Sequence, residues 1–201
     1  MVLAQTFSNL VPIGFVPADR VTASPKGFVL DVTIPKSADT QWCWAAVAVG
    51  LARAYQDQDP KWADQCEVAT RVKKASTCCP AGDFSDCNLA DHLPPALEEH
   101  FDSTPINPGE DKTFKFVVAI TNSGFPLAIR LGVTNDDAGH FVVIAGYRVD
   151  DDGTLQLWIG DPEEGLRNLV DFEKLLVPST KERFWTNTFR TTGAQKIPEE
   201  S

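Results

Sequence analysis

Apolar residues are distributed differently in the two halves of the chain. GFVLDVTIP (27–35) alternates and carries β-branched residues, which predicts a strand. CWAAVAVGLARAYQ (43–56) consists of strong helix formers interrupted only by Gly50, the mark of a largely buried helix. A second helix is expected at 62–75, with Asp64 in its first turn and Lys73 and Lys74 in its last, as the helix dipole favours. The segment 76–88 holds turn residues and cysteines and reads as a loop. A helix over 89–101 is interrupted or restarted at Pro94–Pro95. Beyond residue 110 the pattern changes. After a helix at 111–124, stopped by Gly124, strand-like runs follow at 125–133, 139–150 and 154–162, with Asp150–Asp151–Asp152–Gly153 as a hairpin turn. A short helix at 170–177 and a strand at 182–190 complete the pass. Helices first and a mostly antiparallel sheet afterwards define an α+β fold.

No internal repeat or long linker divides the 201 residues, so a single domain is expected. The Pro-, Ser- and Gly-rich residues 1–27 read as an N-terminal extension and 193–201 as a flexible tail. The domain between them covers 28–192, helical over about 41–101 and sheet-forming over about 111–191. With Lys+Arg 18 against Asp+Glu 28, the net charge is −10, and no cationic run stands out. That excludes an extended nucleic-acid grip, which needs clustered cations. No stretch approaches the roughly 18–20 apolar residues of a membrane-spanning helix. The first residues lack a positive start and are broken by Pro12 and Gly14, unlike a secretory signal peptide.

Three positions stand out chemically. Cys43 opens the predicted helix 43–56, where unsatisfied backbone N–H groups and the positive dipole end favour a thiolate and an oxyanion. His140 follows Gly139 at the mouth of FVVIAGY, an apolar run of buried-strand type. His92 and His100, flanked by Asp91, Glu98 and Glu99, read as solvated or structural. Asp161 ends the strand one hairpin after His140. Residue 146 should pair about with 157 and 140 about with 163, which places Asp161 near the imidazole as an orienting acceptor.

QWCWAAVA around Cys43, GHFVVIAGY around His140 and WIGDP around Asp161 resemble the nucleophile, base and orienting segments of papain-like cysteine proteases. The compact bacterial branch, with secreted effector proteases and relatives of bacteriocin-processing peptidases, is the most similar. The Cys66, Cys78–Cys79 and Cys87–Asn88 cluster also resembles the effector type. The likeness spans about 28–190. It implies a helical lobe carrying the cysteine, packed on a sheet lobe carrying the histidine and aspartate, with a cleft between them. The implied activity is cysteine-type peptide hydrolysis on protein or peptide substrates, without cofactor or metal. Trp42, Trp44 and Gly139 are candidate cleft residues, and loops 104–114 and 133–139 candidate walls. Asn135–Asp136–Asp137 reads as a solvated acidic turn, or as an attraction for basic side chains. Trp158 and Trp185 are assigned to the sheet core.

One departure from the family pattern stands out. The family places an oxyanion-binding glutamine a few residues before the nucleophile, and Ser37 occupies that position here. Gln41 is the nearby glutamine, so Ser37, Gln41 and the Cys43 N–H are the oxyanion candidates. The departure keeps two alternatives open: an acyl transferase or deamidase using the same triad, and a non-catalytic binding module. Among the other cysteines, a bond between adjacent Cys78 and Cys79 would strain the backbone, so Cys66 and Cys87 are each expected to take one of that pair. A four-cysteine zinc site lacks the usual two-residue gap. Disulfides would suit an oxidising destination, favouring secretion or translocation over the cytoplasm.

Overall fold

The computed structural model describes residues 21–24, 26–57, 59–78, 87–102, 111–179 and 181–193. Most of the expected N-terminal extension, the tail, Cys79 and the wall at 104–110 lie outside the described residues.

The chain enters through strands β1 (Val21–Ser24) and β2 (Gly27–Leu30), which pair antiparallel. Helix α1 (Cys43–Ala54) follows, then a 3-10 turn at Pro60–Trp62 and helix α2 (Gln65–Lys73). The short helix α3 (Leu93–Leu97) and strand β3 (Phe101–Asp102) close the first half. Helix α4 (Phe114–Asn122) then leads into strands β4 (Leu127–Val133), β5 (Asp136–Val149), β6 (Leu155–Asp161) and β7 (Leu166–Asp171). Helix α5 (Phe172–Leu176) and strand β8 (Phe184–Thr191) finish the fold. Eight strands form one sheet among the described residues, ordered β1-β2-β5-β4-β8-β3, with β6 on β5 and β7 on β6, and every pairing is antiparallel. The architecture is α+β, as the order of elements predicts, and matches the papain-like fold that the resemblance implies.

Strand β5 organises the molecule. Its residues 146–148 pair with both β2 and β6, and 143–144 with both β4 and β6, so β2 continues the edge that β4 leaves. Alternate residues serve two cores. Phe141, Val143 and Ala145 pack with α1, α2 and α3, whereas Val142 and Ile144 pack with α4, α5 and Trp185. A sheet covered on both faces demands a continuous apolar strand, and FVVIA is one.

Several local expectations are corrected. The second helix starts later than 62, because Asp64 is its cap: the carboxylate accepts the Glu67 N–H at 3.0 Å. Residues 89–92 are not helical; α3 starts at Leu93 with Pro94 and Pro95 in its first turn, which fits a restart rather than an interruption, since the first turn needs no proline N–H. Strand β7 occupies 166–171, where only the short helix after it was expected. Gly146 pairs with Trp158, one residue beyond the expected 157, and a register shift between Ile144 and Gly146 restores the expected offset at Val143↔Gly160. Trp185 is buried, but Trp158 is only partly so, with Arg167 5.6 Å from its ring.

At Gly146 a Cβ would lie 2.1 Å from the Phe28 carbonyl oxygen and 2.7 Å from the Val29 Cα. Both are backbone atoms of β2, which cannot swing aside as a side chain end can. Gly146→Ala is therefore expected to cost at least the ~1–3 kcal/mol typical of overpacking, read as a lower urea midpoint at unchanged slope.

Candidate active site

Residues 36–42 form the entry to α1 and are fastened from three sides. Gln65, buried at the start of α2, donates to the Lys36 carbonyl at 2.8 Å and accepts the Ala38 N–H at 2.8 Å. Ser37 N–H donates to the Pro162 carbonyl at 2.7 Å, tying the entry to the turn that follows Asp161. Asn88 accepts the Gln41 N–H at 2.9 Å and donates to the Thr40 hydroxyl at 2.9 Å. The indoles of Trp42 and Trp44 donate to the Cys87 and Leu89 carbonyls at 2.8 and 3.2 Å. Both rings are fully buried, and Trp42 braces the 87–89 segment from the entry to α1.

This fastening sets Cys43 at the first position of α1. Trp42 caps the helix without a side-chain hydrogen bond, and no acidic residue lies in the first turn. By position, the Cys43 N–H has no intrahelical partner. Cys43 is half-buried and is the free cysteine among those described. Cys78 and Cys87 form a disulfide, and Cys66 is also disulfide-bonded, in line with the expectation that the clustered cysteines are oxidised.

The histidine arrives from the sheet. His140 stands opposite Leu131 on β5 and is nearly buried. Its Nε2 lies 2.6 Å from Asp161 Oδ1 at the end of β6, and the same carboxylate oxygen accepts the Glu163 N–H at 2.8 Å. Burial by itself would lower the His140 pKa. Hydrogen bonds to Asp161 and Cys43, and the negative charge of both, outweigh it and push the imidazole up to about 9. Burial would raise Asp161, but the His140 hydrogen bond, the Glu163 N–H and the positive charges of His140 and Arg183 hold its carboxyl below the usual carboxylate range. His140, Asp161 and Glu163 also bring ligand atoms within 4.8 Å of one another. Nε2 is already engaged by Asp161, and Glu163 pairs with Arg183, so this donor set is occupied by protein partners.

Cys43 also lines a cavity of about 360 Å3, together with Gln41, Trp44, Arg130, Gly139 and Phe141. Ala90, Asp91 and His92 form one wall and Asp137 part of another. Sequence reasoning missed that first wall, along with Asn88, Gln65 and Arg130. No spacing rule links residues 41, 65, 88 and 130; only their chain-distant contacts do. Ser37 does not line the cavity. Gln41 does, and its side-chain amide has no partner among the described residues. Of the remaining histidines, His100 is structural: it is fully buried, 3.1 Å from Asp57 Oδ2 and stacked on Tyr55.

A free thiol at the amino end of a helix, on an α+β scaffold whose sheet carries a histidine paired with an aspartate, is the arrangement that papain-like cysteine proteases display. A family model described as papain-like cysteine protease AvrRpt2 matches residues 29–175. The chain belongs to that family. No match was found among curated proteins. Family membership makes cysteine-peptidase chemistry on protein substrates its general function.

Proposed function

We propose that this protein hydrolyses peptide bonds through Cys43, His140 and Asp161, within a peptidase unit spanning 28–192. The observation that carries the reading is an imidazole held 2.6 Å from the Asp161 carboxylate and pushed up in pKa by Asp161 and Cys43 together, with Cys43 at the amino end of α1 lining a cavity. Asp161 takes Nε2, which leaves Nδ1 for the cysteine. In the reacting state the cysteine proton has passed to the imidazole, which leaves the sulfur as the attacking nucleophile.

The thiolate attacks the substrate carbonyl carbon. A C–S bond forms as the carbonyl electrons move to oxygen, and the Cys43 N–H with the Gln41 amide faces that oxyanion. Collapse of the adduct breaks the C–N bond, and the leaving amine takes the imidazolium proton. The neutral imidazole then removes a proton from water, which attacks the thioester. The acid product departs and the thiolate–imidazolium pair is restored. Asp161 keeps the ring oriented and stabilises its positive form throughout.

The test is digestion of a denatured protein mixture followed by mass spectrometry. New amino termini support hydrolysis, whereas intact chains carrying a gain of about one mass unit would mean deamidation instead. Iodoacetamide should alkylate Cys43 in the folded protein faster than an unfolded thiol; an equal or slower rate counts against the reading.

The pH dependence has a definite sign. The His140 pKa is raised above 6.5, so the stability its protonated form contributes is fully present below about pH 6.5 and lost as pH rises through about 9. Hydrolysis should fall on the alkaline side near 9, because the leaving amine loses its proton donor. Alkylation needs only the thiolate and should not fall with it.

A further inference from the structure

Arg130 lies on β4 directly opposite Phe141, on the cavity side of the sheet. Its guanidinium runs across two glycines that pair with each other, Gly132 on β4 and Gly139 on β5. A Cβ at Gly139 would meet Arg130 Nε at 2.3 Å, and one at Gly132 would meet Nη1 at 3.1 Å. The bare backbone of the two strands is therefore the floor on which this side chain rests. Its ends are fixed as well. Nη1 donates to the Thr186 hydroxyl at 3.2 Å, Nη2 donates to the Asp137 carbonyl at 2.7 Å, and the Thr186 hydroxyl donates back to the Arg130 carbonyl at 3.0 Å.

Both oxygens that hold the guanidinium are neutral, and among the described residues no carboxylate pairs with it. Among the described residues, three of its five N–H donors are left without a protein partner. The acidic residues of the same cavity do not offset it locally. Asp91 is paired with Lys73 at 2.8 Å, and Asp137 is exposed to water and turns its backbone oxygen to the arginine. A half-buried cation with neutral partners, preset in a fork geometry, is built to receive a carboxylate.

We propose that Arg130 forms a carboxylate-binding subsite of the cleft, so that peptides carrying an acidic side chain near the scissile bond are the preferred substrates. This rests on the peptidase reading above and names its substrate class. It also replaces the attraction for basic side chains that Asn135–Asp136–Asp137 suggested.

The experiment uses the full chain and matched decapeptides, built around one cleavage site found in the protein digest and differing only in Glu, Gln or Lys at each flanking position. Each is made with a free and with an amidated carboxyl terminus. Glu is expected to exceed Gln by roughly 10–100-fold in kcat/KM at one position, chiefly through KM. Arg130→Gln should collapse that ratio towards one, and Arg130→Lys, which keeps the charge without the fork, should retain part of it. A preference for the free-carboxyl series would assign the same subsite to a chain terminus. Equal rates for Glu, Gln and Lys, or a Glu preference that survives Arg130→Gln in a folded protein, overturns the proposal. If the parent cuts nothing, the peptidase reading fails. The subsite is then read by fluorescence anisotropy of labelled Glu-rich and Gln-rich decapeptides on the Cys43→Ala protein. Binding favouring Glu and lost with Arg130→Gln supports the subsite; its absence overturns it.

Discussion

Cys43→Ala is expected to abolish peptide hydrolysis while leaving the protein folded. Loss of the nucleophile, or of the base beside it, costs on the order of 10^6 in kcat in hydrolases that use such a pair. The side chain lost is small and only half-buried, so the thermal midpoint should move little. His140→Ala should silence hydrolysis to the same floor, and the double variant should be no worse than either single one, because the two groups act as a unit. The stability outcome differs. Removing the imidazole strands the Asp161 carboxylate beside Glu163, with one fewer hydrogen bond and without the positive charge that offsets its burial. A destabilisation of about 1–3 kcal/mol is expected for His140→Ala and little for Cys43→Ala. The measurements are product mass spectrometry and urea unfolding for the three variants. Residual hydrolysis in Cys43→Ala within tenfold of the parent would remove the cysteine from the chemistry.

How far the sequence disclosed this arrangement depends on the range over which each signal acts. The helix at Cys43–Ala54 was legible from local composition, as was the strand containing FVVIA, because burial on both faces leaves no polar alternation to find. Strand β7 escaped because its residues Leu166, Arg167 and Asn168 are exposed and 169–171 half-exposed, so no buried face marks it in LRNLVD. The register of β5 on β6 was off by one near the hairpin because the shift at 144–146 arises where β2 joins the opposite edge of β5, a contact invisible in either strand alone. Cys43, His140 and Asp161 stood out through short motifs with fixed neighbours. The side chains that hold the entry to α1 did not. Gln65, Asn88 and Arg130 are ordinary polar residues in their local settings, and each takes on meaning only through a partner tens of residues away. Long-range pairing of this kind is a property of the closed fold rather than of any window of sequence.

The entry segment also bears on the departure at Ser37, and the second large effect is expected there. If the Gln41 amide stabilises the oxyanion, Gln41→Ala should lower kcat by about 10²–10³-fold with little change in KM, since the interaction strengthens only as charge develops on the substrate oxygen. Ser37→Ala should stay within about threefold of the parent: Ser37 does not line the cavity, and its backbone N–H bond to Pro162 survives the change. Asn88 acts one step removed, as a positioning residue. It holds the Gln41 N–H and the Thr40 hydroxyl at once, and thereby sets the direction in which residue 41 presents its side chain. Asn88→Ala should therefore reduce kcat in the parent but add little to Gln41→Ala, because the group it positions is already gone. Asn88→Asp keeps an acceptor for the Gln41 N–H, and the Thr40 hydroxyl is able to turn and donate to the other oxygen. That variant should recover most of the lost rate. Steady-state kinetics on one peptide across these five variants decides the matter. Equal losses from Asn88→Ala with and without Gln41 would mean that Asn88 merely stabilises the loop, and an unchanged kcat in Gln41→Ala would place the oxyanion against the Cys43 N–H alone.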